Sequence, residues 1–217
     1  MSRYRKEVFP ISIFHGGVED NNKLKELIIP FVENTKNDRN NEIPNGWLTN
    51  DLTTSFNNGE VNKVLLDDNH EIGKELKGQY FNVLNQFFDD NFEVKLQGMW
   101  YNLYRNGEWQ EAHTHLGGLA PIHFACIHFL SFNPQIHTPV CFLDPLVTQR
   151  ALSLEMQSNR YSEKYRPRVK EGDFLMFPSY LPHEVSPSAA TPDYPRITLS
   201  FNIEVVKYGS EEENREN

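Results

Sequence analysis

Tyr194-Pro-Arg-Ile-Thr-Leu-Ser-Phe-Asn-Ile-Glu-Val-Val206 is the stretch on which the reading of this chain turns. Successive side chains of a β-strand point to opposite faces, so the segment sorts into two rows. Ile197, Leu199, Phe201 and Ile203 form an apolar row, while Arg196, Thr198, Ser200 and Asn202 form a polar one. On an edge strand the polar row would simply face water. Inside a barrel it is costly unless something polar binds there. Arg196 carries a fork of donors matched to a carboxylate, and Thr198 can add a hydroxyl. Both are therefore candidate ligand-binding residues.

Upstream the texture is similar as far back as about residue 92. Short β-rich runs follow one another at 94–104, 122–132, 139–144, 173–178 and 183–187, separated by Gly, Pro, Asn and Asp. Many short strands with turn signals between them argue for a sandwich or barrel, not a parallel α/β sheet. Residues 145–168 mix polar and charged residues with a few apolar ones, which fits a long loop with a short helix, or a lid. The loop around Gly46-Trp47 is a second lid candidate.

Residues 1–91 differ in periodicity. Leu24, Leu27, Ile28, Phe31 and Val32 share one helical face, with Asp20 as N-cap and Pro30 expected to kink or end the helix. Ile72, Leu76, Tyr80, Val83, Leu84, Phe87 and Phe88 form a second stripe, with Asn69 as the capping candidate. The expected organisation is a helical and mixed support region over 1–91, a β-rich core over 92–207, and a disordered acidic tail over 208–217.

Composition narrows the partners. The chain has 217 residues, 38% hydrophobic and 12% aromatic, a globular profile for one domain. Its 21 Lys+Arg against 30 Asp+Glu give a net charge of −9, which disfavours a nucleic-acid partner. Cys126 and Cys141 lie in apolar stretches and read as buried free thiols. The start, MSRYRKEVFPISIF, lacks the apolar run of a signal peptide, and no stretch reaches membrane-span length. A cytoplasmic protein is expected.

Five of the eight histidines fall between 113 and 137. In Gln110-Glu111-Ala112-His113-Thr114-His115, an extended strand would point His113 and His115 to one face, where both can grip one ion. Three ligands on one short strand cannot surround a metal, so the third must come from elsewhere. His183, which follows a Pro-bounded turn and starts a new strand, is the candidate. His15, His70, His123, His128 and His137 read as structural or surface residues.

These motifs, from Trp100 to Val205, resemble the Fe(II)- and 2-oxoglutarate-dependent oxygenases of the prolyl-hydroxylase-like branch common in phage and bacterial genomes. The elements that carry the resemblance are WYNLYRNGEWQEAHTH, ACIHFLSF, GDFLMFPSYLPHEVSP and RITLSFN. The resemblance implies a mainly β fold with flanking helices around a double-stranded β-helix core of the jelly-roll or cupin-like type. It implies Fe(II), 2-oxoglutarate and O2, with His113 and His183 on the metal and Arg196 on the far carboxylate of 2-oxoglutarate. Tyr104 and Thr198 would help bind the cosubstrate, while Phe129 stands where some relatives have a tyrosine and lacks its hydroxyl. The substrate would be a small molecule or a protein side chain such as peptidyl proline. A phage-encoded protein would act in the host cytoplasm.

One position departs from the family pattern. His115 stands where relatives carry Asp or Glu, and three neutral imidazoles leave the site one negative charge short. Imidazole is still a good iron ligand, so a three-histidine centre is chemically sound. Glu111 or Asp144 completing the set, and a chloride beside His115 as in halogenases, remain open alternatives. So does a cupin-type metal protein that uses no 2-oxoglutarate, or an interaction domain with a decayed site.

Overall fold

The computed structural model of the protein describes residues 11–49, 52–117, 121–147 and 162–207. In chain order it forms β1 (Phe14–Gly17), α1 (Asn21–Thr35), β2 (Thr53–Thr54), α2 (Gly59–Leu66), α3 (Glu71–Leu84), β3 (Phe92–Tyr104), β4 (Gln110–His113), β5 (Phe124–Ser131), β6 (Val140–Leu143), β7 (Lys164–Tyr165), β8 (Asp173–Pro178), β9 (His183–Val185) and β10 (Arg196–Lys207). The strands make a six-stranded sheet in the order β1-β8-β5-β10-β3-β2 and a four-stranded sheet in the order β4-β9-β6-β7. All the pairings are antiparallel. The chain is a double-stranded β-helix with helices on one side, as the strand pattern and the resemblance implied.

Strand β10 sits inside the larger sheet, with β3 on one side and β5 on the other. Its apolar row faces the helices. Ile197, Leu199, Phe201 and Ile203 share one core with Leu24, Ile28 and Val32 of α1, Leu65 of α2 and Leu76 and Tyr80 of α3. The Tyr80 ring stacks on Phe201 at 4.7 Å. A second core lies between the sheets, where Phe142 of β6 meets Phe177 of β8 edge-on at 4.8 Å. The polar row of β10 points into this inter-sheet space, and Arg196, Thr198 and Ser200 are buried there.

Local expectations hold with three corrections. Asp20 caps α1 by accepting from the Lys23 N–H, but the helix runs through Pro30 to Thr35. Pro30 removes one backbone donor, and buried Ile28 and Val32 on either side keep the helix seated. The cap of α3 is His70, not Asn69: its Nδ1 accepts from the Ile72 N–H at 3.2 Å. A third helix, α2, has only eight residues, too few to register as a periodic pattern. Cys126 and Cys141 are free and buried, as expected. Among the described residues no helix is long and apolar enough to cross a membrane. The acidic tail and most of the 145–168 segment lie outside the described residues.

One polar network pins the helices to the sheet. His128 of β5 is fully buried, with Nδ1 accepting from the Tyr80 hydroxyl and Nε2–H donating to Asn21 Oδ1, both at 2.9 Å. Burial pushes its pKa from 6.5 down to about 3. Between those values the unfolded chain binds a proton that the folded chain refuses, so stability falls as pH falls through that window. The loss is about 1.4 kcal/mol per pH unit. His128→Leu should therefore lower stability at pH 7, by leaving the buried Tyr80 hydroxyl and the half-buried Asn21 amide without their partner, yet flatten the acid limb of a Tm-against-pH curve. An unchanged acid slope in that variant would contradict the assignment.

Candidate metal centre

His113 ends β4 and His183 begins β9, and the two are direct partners across the antiparallel ladder. Their rings lie 4.2 Å apart. His115 reaches the same point by another route. Strand β4 stops at His113, so the expected i, i+2 placement on one strand does not apply. Instead the His115 N–H donates to Ser179 O at 2.9 Å, in the turn before His183, and Gly117 at φ +100° takes the chain away. The His115 ring sits 5.5 Å from His113 and 5.2 Å from His183. One ligand atom from each histidine lies within 4.8 Å of the others.

The protonation pattern suits a metal. His113 Nδ1 lies 2.8 Å from Glu111 O, His183 Nδ1 3.0 Å from Leu181 O, and His115 Nδ1 2.6 Å from Asn202 Oδ1. Each of these oxygens can only accept, so each Nδ1 carries the hydrogen and each Nε2 keeps its lone pair. Burial lowers the pKa of all three below 6.5, helped at His115 by repulsion from His113 and at His183 by repulsion from both neighbours, and brings His115 to about 4. Near neutral pH the cluster is three uncharged imidazoles, the form that binds metal. Among the described residues, neither Glu111 nor Asp144 joins this cluster.

Beneath the histidines a cleft is lined by Trp100, Asn102, Tyr104, Gln110, Ile127, Val185, Arg196, Thr198 and Ser200. Arg196 is only 1% exposed, and its Nε and Nη1 have no hydrogen-bond partner. Its guanidinium carbon lies 4.4 Å over the Tyr104 ring and 5.7 Å from the Phe129 ring. The faces of both rings thus support the cation, and Phe129 serves as packing where a hydroxyl was absent from the sequence. The Tyr104 hydroxyl donates to Gln110 Oε1 at 2.9 Å, and burial raises its pKa. A buried guanidinium with free donors is suited to an anion.

Sequence reasoning missed the aromatic wall. Trp47 lies nearly parallel to His113 at 6.2 Å and Trp100 to His115 at 5.9 Å, with Phe56 packed against both tryptophans. The Gly46-Trp47 turn is a lid candidate in the sequence, but nothing there marks Phe56. The remaining histidines have other tasks. His15 pairs with Asp173, His123 accepts from the Val205 N–H, His137 accepts from the Asn133 N–H, and His70 and His128 act as described above.

Residues 98–202 match the family described as "Putative 2OG-Fe(II) oxygenase". That span contains His113, His115, His183, Tyr104, Arg196 and Thr198. No curated protein matches the sequence. Among solved structures, the chain is similar to a Pseudomonas putida prolyl-4-hydroxylase, with 12% identity, a TM-score of 0.56 and coverage of 89% of this chain and 92% of that one. It is also similar to a Trichoplax adhaerens prolyl hydroxylase solved with a hypoxia inducible factor oxygen degradation domain peptide fragment. There the identity is 13% and the TM-score 0.55, covering 88% of this chain and 82% of the other. These likenesses concern the fold.

The three lone pairs predict a single divalent site. Co(II) titrated anaerobically should develop visible d–d absorption that saturates at one equivalent, and His183→Ala should abolish it. Full saturation in that variant would remove His183 from the ligand set.

Proposed function

We propose that this chain, a 2-oxoglutarate- and Fe(II)-dependent dioxygenase of prolyl-hydroxylase-like type, hydroxylates a C–H bond of a protein side chain or small molecule, with peptidyl proline the first candidate. His113, His115 and His183 hold the iron, and Arg196 pairs with the far carboxylate of 2-oxoglutarate. The observation that carries this reading is one cleft lined by two complementary sets of groups. Three imidazole lone pairs converge at one end, and the unpartnered guanidinium donors of Arg196 lie at the other. A cupin-type protein without 2-oxoglutarate would leave those donors unpaired in the interior, at a cost of about 1–3 kcal/mol for each group.

Iron with 2-oxoglutarate and O2 supplies the oxidising chemistry, releasing succinate and CO2. The chain's own residues bind, orient and exclude water. Arg196 fixes the cosubstrate by a charge-assisted fork, and Thr198 lines the same cleft with its hydroxyl. Tyr104 acts through its ring, which carries the guanidinium, while its hydroxyl donates to Gln110. Trp47 and Trp100 back the imidazoles of His113 and His115 and narrow the approach of water. With no carboxylate ligand, Fe(II), Arg196 and the 2-oxoglutarate dianion sum to one positive charge. The dianion is therefore drawn in more strongly than in a two-histidine, one-carboxylate centre.

Fe(II) and 2-oxoglutarate mixed without oxygen should give a weak visible charge-transfer band. Arg196→Ala should raise the 2-oxoglutarate concentration for half-saturation by roughly thirtyfold or more, from a lost pair worth about 2–5 kcal/mol, while Co(II) binding persists. With oxygen admitted, succinate release should rise above its uncoupled rate with the right peptide. Iron binding without a band would instead favour the cupin reading.

A further inference from the structure

His113 and His183 find their orienting oxygens in their own local chain, since Glu111 O and Leu181 O each lie two residues upstream, the first in β4 and the second in the turn before β9. Those contacts use backbone and do not depend on which side chain stands there. His115 lies past the end of β4, where the local chain gives its ring no such partner. Its acceptor is a side chain 87 positions away, Asn202 Oδ1 at 2.6 Å.

We propose that Asn202 is a positioning residue for the metal centre: it locks His115 in the tautomer that offers Nε2, and so makes a third histidine usable as a ligand. The proposal rests on the reading of His113, His115 and His183 as iron ligands. A carboxylate at position 115 would need no such help, because both its oxygens carry lone pairs. An imidazole carries one hydrogen on one nitrogen or the other, and a hydrogen on Nε2 blocks coordination. Replacing a carboxylate by histidine therefore creates a demand for an acceptor at Nδ1.

The fold meets that demand from the inner face of β10. Arg196 stands at one end of this polar row and Asn202 at the other, six residues or about 20 Å along the strand. At Asn202 the pairing of β10 with β3 shifts register, Asn202 standing opposite Gly98 and Ile203 opposite Leu96. Such irregularities re-aim side chains beside functional sites. Asn202 is 9% exposed, and Trp100 stacks on the His115 ring at 5.9 Å, so the imidazole is fixed both by a ring face and by its Nδ1–H.

The test begins with metal-free protein and long-range ¹H–¹⁵N NMR of the imidazoles. His115 should show hydrogen on Nδ1 and a bare Nε2; hydrogen on Nε2 overturns the proposal without any variant. Asn202→Leu should then mix the tautomers and weaken Co(II) binding roughly 10–100-fold, while Asn202→Asp, which keeps an acceptor, should preserve the tautomer and bind at least as tightly. Should Asn202→Leu not fold, the wild-type tautomer and the Asp variant decide the matter. Affinity within twofold of wild type for Asn202→Leu overturns the role of Asn202 alone. Failure of the unaltered protein to bind Co(II) overturns the ligand reading itself.

Discussion

A guanidinium with two unpartnered nitrogens, 1% exposed, is tolerable only where its surroundings hold a cation in place and leave its donors facing a ligand. Arg196 meets both conditions because β10 is two-faced. Ile197, Leu199, Phe201 and Ile203 press against the helices, which fixes the strand's depth and orientation. The opposite face is then obliged to turn inward, and Tyr104 on the neighbouring strand slides its ring beneath the guanidinium. Had the helices not covered the outer face, the polar row could have turned to water and no cleft would exist. The helical support region is thus part of the site's construction, although no residue of α1, α2 or α3 lines the cleft.

The second constraint is that three lone pairs aimed at one small volume repel one another. Burial suppresses the protonation that would otherwise relieve this, so the cluster cannot answer its own repulsion near neutral pH. A cation between the imidazoles and an anion at the guanidinium would relieve both strains at once.

Much of this was legible in the sequence, for a physical reason. Strand alternation is local, so the two rows of β10 and the limits of β8 can be read from adjacent residues, and the stripes of α1 and α3 follow from a short-range period. His113, His183 and Arg196 stand at strand termini where turns and motif context flag them. What could not be read is what depends on contacts distant in sequence. Residue spacing suggested that His115 shares a strand with His113. In fact the strand ends first, and a hydrogen bond to Ser179 brings the ring in. Phe56 joins the wall only because the chain folds back over β3, and β1 and β2 are too short to show a pattern.

Asn202 belongs to the same class of hidden contact, and it bears on how such a centre is held together. A carboxylate ligand contributes attraction that acts over distance and tolerates imperfect aim. An imidazole contributes no charge, and it coordinates only with the correct nitrogen bare and the ring turned the right way. Exchanging one for the other therefore moves the burden from electrostatics to preorganisation. The chain carries the means for this in its stacked tryptophans and three separate Nδ1 acceptors, two of them backbone carbonyls and one an amide side chain. Because the amide is neutral, it orients His115 without restoring the missing charge.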